Sequence, residues 1–153
     1  MNVYLAGPYA ARPMIKSYAD ELEAIGYKVT ATWLNETHDI NDGTTDAAAA
    51  LPDDQVDAHA RQDMRDIDRA DLFIAFTAER VGISRSAGAS GGRHVETGYA
   101  IAKGKPIILV GQPENVFHRL ATVTVCLDWH HTLIEASARL VRQERNRDQV
   151  MAG

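Results

Sequence analysis

The chain has 153 residues, of which 45% are hydrophobic and 24% are charged, a composition that excludes a disordered chain and fits one domain over residues 1–153. The formal net charge of −5 excludes a broad basic surface for a nucleic-acid polymer, because such affinity comes from Lys and Arg neutralising phosphates. The chain shows no signal-peptide pattern and no apolar run of about 18 residues, so we expect a cytoplasmic protein with no membrane partner.

In its first half, the chain alternates between predicted strands and helices. The apolar run 3–6, cut off by Gly7 and Pro8, predicts a buried first strand that ends in a tight loop. A helix follows, capped by Gly26, with apolar positions at spacings of three and four: Ile15, Tyr18, Leu22 and Ile25. Residues 27–33 alternate as a second strand does, and the polar segment 35–52 is predicted to be a long loop or a partly helical flap.

The second half repeats this alternation. A helix is predicted to begin near Asp53, with apolar positions Val56, Ala60, Met64 and Ile67. Residues 72–76 form the strongest predicted strand, and the Gly- and Ser-rich segment 78–92 leads into a helix over 93–103. Further strands are predicted at 107–110 and 123–127, before a closing helix marked by Leu133, Ala136, Leu140 and Val141. The charged tail from about residue 142 is predicted to be a solvated helix end.

Strands that alternate with helices at this spacing predict an α/β fold of the doubly wound, flavodoxin-like or Rossmann-like class. We expect a five-stranded parallel sheet with helices on both faces. In such sheets ligands bind outside the carboxyl ends of the strands. The loops after the first and third strands, residues 7–12 and 78–92, are therefore expected to face each other across the site.

Several familiar nucleotide and metal signatures are missing. The chain has no G-x-x-x-x-G-K-[ST] phosphate loop, and the turn after the first strand has one glycine where a dinucleotide fingerprint needs three. His94-Val95-Glu96 matches half of a zinc deaminase signature, but that chemistry needs a pair of cysteines and the chain has only Cys126. His130 and His131 lack a third ligand at a recognisable spacing. We therefore expect neither a metal nor an organic cofactor.

Glu96 is the residue whose position favours chemistry. It follows Gly91 and Gly92 closely, which places it in the first turn of the predicted helix at the carboxyl edge of the sheet. Because helix N-termini stabilise carboxylates, this position fits equally well a glutamate that only stabilises the helix. Asp63 lies off the apolar stripe of the preceding helix and can point toward the same edge. Two carboxylates and a tyrosine there would suit displacement at an anomeric carbon.

A set of short motifs, in this order, resembles nucleoside 2-deoxyribosyltransferases and the related deoxynucleoside 5′-monophosphate N-glycosidases. The motifs are Val3-Tyr4-Leu5-Ala6-Gly7, Gln62-Asp63, Ala70-Asp71, Glu96-Thr97-Gly98-Tyr99-Ala100 and Gly104-Lys105-Pro106. The resemblance spans roughly residues 3–129 and implies one nucleoside deoxyribosyltransferase-like domain. It implies that Glu96 is the nucleophile of a glycosyl-enzyme intermediate, that Tyr4 holds its carboxylate, and that Asp63 manages the departing base and its proton. It also implies that Asn115 is lent to a neighbouring subunit's site, so we expect a homodimer at least.

The same resemblance favours a substrate that carries a 5′-phosphate. Ser90 stands where the transferases carry an acid that meets the sugar's 5′-hydroxyl, whereas the monophosphate hydrolases have serine there. Beside it, a phosphate can be held by backbone N–H groups and guanidinium groups of Arg85, Ser86, Gly91, Gly92 and Arg93. In the first loop, which begins at Gly7, Arg12 is a second candidate phosphate ligand or a solvated side chain. Tyr9 and Trp33 are candidates for stacking on a nucleobase, and Trp33 fits a core position equally well.

Together these residues favour an enzyme that cleaves the N-glycosidic bond of a (deoxy)nucleoside or its 5′-monophosphate and releases the sugar from Glu96 to water. One alternative is a nucleoside 2-deoxyribosyltransferase, which passes the sugar to another base. A second alternative is a non-catalytic domain that senses nucleotides, because the fold does not determine the function. The expected ligand in each case is a small nucleoside or nucleotide, with its base and its sugar left open.

Overall fold

The computed structural model describes residues 1–36, 52–77, 80 and 91–151 of the chain. Its strands are β1 (Asn2–Ala6), β2 (Lys28–Val29), β3 (Leu72–Phe76), β4 (Ile107–Val110) and β5 (Val123–Cys126). Its α-helices are α1 (Arg12–Ala24), α2 (Asp53–Arg69), α3 (Gly92–Ala102) and α4 (Trp129–Met151). Short 3₁₀ helices cover Tyr9–Ala11, Thr32–Asn35 and Val116–Arg119.

The five strands form one parallel sheet in the order β2-β1-β3-β4-β5. This order confirms the predicted doubly wound fold, in its flavodoxin-like form. In this order β2 lies on one side of β1, and β3 lies on its other side. The carboxyl ends of β1 and β3 therefore flank the point where the strand order reverses, which is where such sheets bind ligands.

Helices cover both faces of the sheet, which explains why its central strands read as unbroken apolar runs. On one face, Tyr18 of α1 stacks on Trp129 of α4 with ring centroids 4.2 Å apart, and both rings lie against Phe76 of β3. Helices α2 and α3 pack together on the opposite face. There Tyr4 of β1 stacks on Phe73 of β3 with centroids 5.5 Å apart.

The second strand is shorter than predicted. We expected it over residues 27–33, whereas β2 has two residues and the chain turns into a 3₁₀ helix at Thr32. The cause is a carboxylate on another element: Asp66 of α2 accepts hydrogen bonds from the Thr32 backbone nitrogen at 3.0 Å and from its hydroxyl at 2.6 Å. These bonds hold the chain in a turn. Of the predicted flap, residues 37–51 lie outside the described part of the chain.

The predicted helix ends agree closely with the structure. Gly26 has φ +106° just beyond α1, a backbone conformation that favours glycine and closes the helix as predicted. Ile25, which we expected on the apolar stripe, is 39% exposed because α1 ends before it. Helix α4 continues through the charged tail to Met151, and its residues from 141 onward are solvent-exposed. Within the described ranges, no helix has both the length and the apolar character that crossing a membrane requires.

Candidate active site

A short hydrogen bond joins β1 to α3 at the predicted nucleophile. The Tyr4 hydroxyl donates to Oε1 of Glu96 at 2.6 Å, across 92 positions of sequence. Tyr4 is fully buried in the middle of β1, where its stack on Phe73 fixes the direction of the ring. A rigid phenol therefore orients the Glu96 carboxylate, as the resemblance implied for these two residues.

Glu96 is the fifth residue of its helix and lies just beyond the first turn. Helix α3 begins at Gly92 and carries no acidic residue in its first turn, so the expected first-turn position of Glu96 is wrong by a short step. The influence of the helix dipole falls off within the first turn. Glu96 is consequently held by Tyr4 rather than by free backbone N–H groups, which removes the purely helix-stabilising interpretation of this residue.

The environment of Glu96 raises the pKa of its carboxyl group. Burial raises the pKa of Glu96 from 4.5 to about 7, the Tyr4 hydrogen bond opposes this rise, and the charge of Asp63 adds to it. Burial and the two nearby carboxylates also raise the pKa of Tyr4 well above 10.0. Tyr4 therefore stays a neutral donor, and Glu96 changes its charge near neutral pH.

Asp63 of α2 lies on the same side of the sheet as Glu96. Burial raises the pKa of Asp63 from 3.8 to about 6, and the charges of Glu36 and Asp66 raise it further, whereas Tyr4 and His59 lower it. The charge of Asp63 disfavours the ionisation of Glu96. Their protons are therefore coupled, and over the range between about 6 and about 7 the pair holds one proton between its two carboxyl groups.

The two carboxyl groups face a cleft between α2 and α3. The cleft has a volume of about 230 Å³ and is bounded by Asp63, Glu96, Gly92 and apolar or aromatic side chains, namely Ala60, Met64, Ile67, Val95 and Tyr99. Apolar walls limit the access of water to the carboxylates and strengthen their electrostatic interactions. The cleft can hold a small neutral ring against two acids, an arrangement suited to chemistry at an anomeric centre.

Two residues that were not predicted from the sequence, His59 and Glu36, shift the pKa of Asp63. Nδ1 of His59 lies 3.2 Å from Oε1 of Glu36, and both residues perturb the pKa of Asp63, in opposite directions. A signal was available in the sequence. His59, Asp63 and Asp66 recur at spacings of four and three, which places them on one face of α2.

Asp66 is the polar anchor of this face and is completely buried. Besides Thr32, its carboxylate accepts hydrogen bonds from Gln62 Nε2 at 2.7 Å and from the guanidinium of Arg69. Thr30 donates its hydroxyl to the Asp66 carbonyl at 2.9 Å. These bonds attach α2 to the end of β2 and thereby set the position of Asp63, one helical turn away.

The first-loop candidates form their own cluster. The guanidinium of Arg12 lies 4.5 Å from the centre of the Tyr9 ring and donates to the Tyr9 hydroxyl and to the Glu36 carbonyl. Trp33 takes the core position of its two alternatives: it is 7% exposed, and its Nε1 donates to the Leu5 carbonyl at 2.9 Å. Of the two rings proposed to stack on a base, Tyr9 is the more accessible.

The predicted phosphate ligands and Gly7 lie in different surroundings. Gly92 lines the cleft beside Glu96, and Gly7 follows β1 so closely against α1 that a Cβ there would lie 2.3 Å from Ile15 Cδ1. Arg93 is buried instead, and its Nη2 lies 2.9 Å from both carboxylate oxygens of Glu114. That ion pair holds the guanidinium away from the cleft. Ser90, Arg85 and Ser86 lie outside the described residues.

Asn115 lies on a different side of α3 from Glu96. Its side chain caps the 3₁₀ helix Val116–Arg119 by accepting from the backbone nitrogens of Phe117 and His118. Its amide nitrogen is 3.4 Å from Nδ1 of His94, whereas the cleft is lined by Gly92, Val95, Glu96 and Tyr99 of α3. Within one chain, the structure therefore does not bring Asn115 to the carboxylates.

The described part of the chain holds no group of three His, Cys, Asp or Glu side chains placed to bind a metal ion. His131, one of the two adjacent histidines, instead lies 2.8 Å from its neighbour Asp128.

Comparison with known proteins places this geometry in a family. The sequence model of the family "nucleoside 2-deoxyribosyltransferase" matches residues 3–146. Among solved structures, the chain is similar to a CMP N-glycosidase, BcmB, of Clostridium botulinum, with a TM-score of 0.52 and 23% sequence identity over 88% of this chain and 97% of that one. No curated protein sequence matches the chain.

The structural similarity, at that identity, shows the shared fold, and the family model covers almost the whole chain. The motifs that carry the resemblance, at Tyr4, Asp63 and Glu96, lie within the matched residues. The protein is therefore an enzyme that belongs to the nucleoside 2-deoxyribosyltransferase family, whose members cleave or transfer the glycosyl group of small nucleosides or nucleotides.

Proposed function

We propose that this enzyme hydrolyses the N-glycosidic bond of a (deoxy)nucleoside or its 5′-monophosphate through a covalent glycosyl-Glu96 intermediate. The observation that carries the proposal is the 2.6 Å hydrogen bond from buried Tyr4 to Glu96. That bond leaves the second carboxylate oxygen of Glu96 available for attack. Asp63 lines the same cleft and can hold a proton near neutral pH.

In the first step, the free oxygen of Glu96 attacks C1′ of the sugar. The C1′–N bond breaks, its electron pair goes to the base nitrogen, and Asp63 supplies a proton to the departing base. In the second step, water attacks C1′ and the bond from C1′ to Glu96 breaks. Asp63, now ionised, takes the proton of that water, so both carboxyl groups return to their starting states.

The protonation of the two acids sets a condition on this sequence of steps. Between about pH 6 and pH 7 the pair holds one proton, and the higher pKa of Glu96 places that proton mainly on Glu96. The first step needs Glu96 ionised and Asp63 protonated, so the proton passes from Glu96 to Asp63 before the attack. Tyr4 favours the ionised form of Glu96 by donating to it.

For the 5′-phosphate, the proposal rests on Ser90 in the sequence and on the start of α3 beside the cleft. Gly92 opens α3 at the cleft wall, and the first N–H groups of a helix favour a phosphate dianion. Arg12 is the first residue of α1, directly after the segment that follows β1. One solved structure with a similar fold is named as a CMP N-glycosidase, which agrees with a monophosphate substrate.

We also propose that two copies of the chain share their active sites. Asn115 lies away from the cleft of its own chain and is followed by exposed apolar side chains, with Val116 75% and Phe117 61% exposed. An apolar patch next to a polar side chain is the composition expected where a second copy packs. Sedimentation of the protein should give at least a dimer, and Phe117→Asp should shift it toward the monomer.

One assay tests the reaction. The protein is incubated with natural nucleosides and their 5′-monophosphates, with and without a free acceptor base, and released base is followed by chromatography. Base release without an acceptor supports hydrolysis. Exchange that requires the acceptor would favour the transferase named by the family model. If a full substrate panel gives neither, the proposal is refuted.

Two variants assign the roles. Glu96→Ala should lose turnover while substrate affinity stays within about tenfold, because a nucleophile acts mainly on the transition state. Glu144→Gln, at an exposed position of α4, is the matched control and should behave as the wild type. Ser90→Asp should selectively weaken use of the monophosphate by charge repulsion. Unchanged selectivity in that variant would remove the argument for a phosphate.

A further inference from the structure

Glu36 and His59 form a polar pair next to the face of α2 that carries Asp63. Nδ1 of His59 lies 3.2 Å from Oε1 of Glu36, and only 30% of the His59 side chain and 17% of the Glu36 side chain are exposed. His59 precedes Asp63 by four positions on α2, and side chains at that spacing are neighbours on one helix face. The steps proposed above for the reaction use neither member of the polar pair.

Glu36 is held by contacts to two helices. Its backbone carbonyl accepts from the guanidinium of Arg12 at the start of α1, and its carboxylate contacts His59 of α2. It also directly follows the 3₁₀ helix Thr32–Asn35, whose first residue is hydrogen-bonded to the carboxylate of Asp66. The negative charge of Glu36 is therefore held in a defined place against α2.

The net charge of the polar pair depends on the protonation of the histidine. A carboxylate can only accept hydrogen bonds, so Nδ1 of His59 carries the hydrogen that is donated to Glu36. Nε2 of His59 is then the nitrogen that gains or loses a proton. With the ring protonated, the polar pair has no net charge, and with the ring neutral, it carries the full negative charge of Glu36.

The other ionisable groups around Asp63 lie on β1, α2 and α3. Asp66 follows one helical turn later on α2, and the guanidinium of Arg69 contacts its carboxylate, so a permanent cation accompanies that charge. Tyr4 of β1 stays neutral because its pKa lies well above 10.0. Glu96 of α3 shares the proton with Asp63. Among these described groups, the polar pair is thus the neighbour whose net charge follows the state of a histidine.

A negative charge beside Asp63 increases the affinity of its carboxyl group for a proton. Next to the larger effect of burial, the charge of Glu36 raises the pKa of Asp63, whereas His59 lowers it. The pKa of Glu96 is instead shifted by burial, Tyr4 and Asp63. Because the two acids share one proton, a group that increases the proton affinity of Asp63 moves that proton away from Glu96.

We propose that Glu36 and His59 are positioning residues that favour transfer of the shared proton from Glu96 to Asp63. The proton leaves the carboxyl group of Glu96, which becomes the ionised nucleophile, and binds the carboxylate of Asp63, which becomes the acid. Neutral His59 leaves the full charge of Glu36 in place and favours this transfer, and protonated His59 opposes it. The importance of the transfer for base release rests on the proposed function, whereas the position of the proton can be measured without turnover.

The test locates the proton by NMR. The side-chain carboxyl carbons of Asp63 and Glu96 are followed during a pH titration of protein labelled with ¹³C in aspartate and glutamate. Glu36→Gln keeps an oxygen that accepts from His59 and removes the charge. In this variant Asp63 should titrate about half a pH unit lower or more. Between about pH 6 and pH 7, the Glu96 carbon should move toward its protonated position.

Glu144→Gln, at an exposed position of α4, is the matched control and should leave both titrations unchanged. An unchanged titration of Asp63 in Glu36→Gln would overturn the proposal. Glu36→Asp keeps the charge and should keep the proton on Asp63. A loss in Glu36→Asp as large as that in Glu36→Gln would show that the shape of the side chain matters rather than its charge, and would also overturn the proposal.

The histidine gives a shift of opposite sign. His59→Gln keeps an N–H donor for Glu36 and cannot be protonated, so Asp63 should titrate at a higher pH than in the wild type. His130→Gln, at an exposed position of α4, should behave as the wild type. If His59→Gln shifted the titration of Asp63 in the same direction as Glu36→Gln, the polar pair would not act as proposed.

Base release provides a separate readout. Glu36→Gln should lower kcat about threefold or more with KM within about twofold, because half a pH unit changes the protonated fraction of an acid by that factor. An unchanged kcat would refute the role of the polar pair in the reaction. If the wild type releases no base from any substrate while the NMR shifts occur as expected, the proposed function fails and the position of the proton is still established. Activity without the NMR shifts gives the reverse conclusion.

Discussion

Replacing Glu96 with glutamine should stabilise the fold at alkaline pH while it removes activity. The pKa of Glu96 in the folded protein is about 7, raised by burial from an ordinary value of 4.5. An acid with a raised pKa costs the fold nothing below the unfolded value. The cost grows as the pH rises and is complete above the folded value. Since one pKa unit corresponds to about 1.4 kcal/mol, the full cost is about 3 kcal/mol.

Glutamine has nearly the same shape, can still accept from Tyr4 through its amide oxygen, and carries no charge to desolvate. The free energy of unfolding of Glu96→Gln, relative to the wild type, should therefore rise by about 2 to 3 kcal/mol between pH 5 and pH 8. Urea denaturation at the two pH values measures this difference. Glu144→Gln, on the exposed part of α4, is the control and should stay within about 0.5 kcal/mol of the wild type at both.

Base release by the same preparations links stability to chemistry, because Glu96→Gln should be inactive at both pH values. A variant that gains no stability at pH 8 relative to pH 5 would show that Glu96 is not a buried acid. An active variant would show that Glu96 is not the nucleophile. Both outcomes are independent of the choice between water and a second base as acceptor.

Three further predictions concern the partners of Glu96. The rate of base release should pass through a maximum between about pH 6 and pH 7, because the singly protonated Asp63–Glu96 pair dominates there. A rate that stays constant up to pH 9 would contradict this. Tyr4→Phe keeps the ring stack and loses the 2.6 Å hydrogen bond to Glu96. It should therefore lower kcat by about tenfold or more with little change in KM. An unchanged kcat in steady-state assays would remove Tyr4 from the mechanism. Asp66→Asn removes a fully buried carboxylate that accepts hydrogen bonds from several donors. Urea denaturation should therefore show that the free energy of unfolding falls by about 2 kcal/mol or more. Asp20→Asn, at an exposed position of α1, should change it very little.

Much of the fold could be predicted because its information is local. The apolar runs of β3 and β4 were predicted with the bounds that the structure shows, since a strand buried on both faces needs apolar residues at every position. Alternation of these runs with helical periods predicted the parallel sheet. Glycine at position 26 predicted the end of α1, because few other residues adopt a positive φ.

Elements that depend on distant partners were predicted less well. β2 was expected to be longer, and it ends where the buried carboxylate of Asp66 binds Thr32, 34 positions earlier in the sequence. Arg93 was expected at a phosphate, and it pairs with Glu114, 21 positions later. Neither partner is identifiable from local spacing, because the packing of separate helices and loops brings them together.

The candidate site divides in the same way. The order of motifs along the chain was enough to identify Tyr4, Asp63 and Glu96 as its candidates and to predict the family, which the family model confirms. Only the tertiary structure decided that Tyr4 donates to Glu96 and that the two acids titrate as a coupled pair. The physical reason is that residue identity determines which groups are ionisable, whereas desolvation and hydrogen bonding set their charge, and both depend on how the whole chain packs.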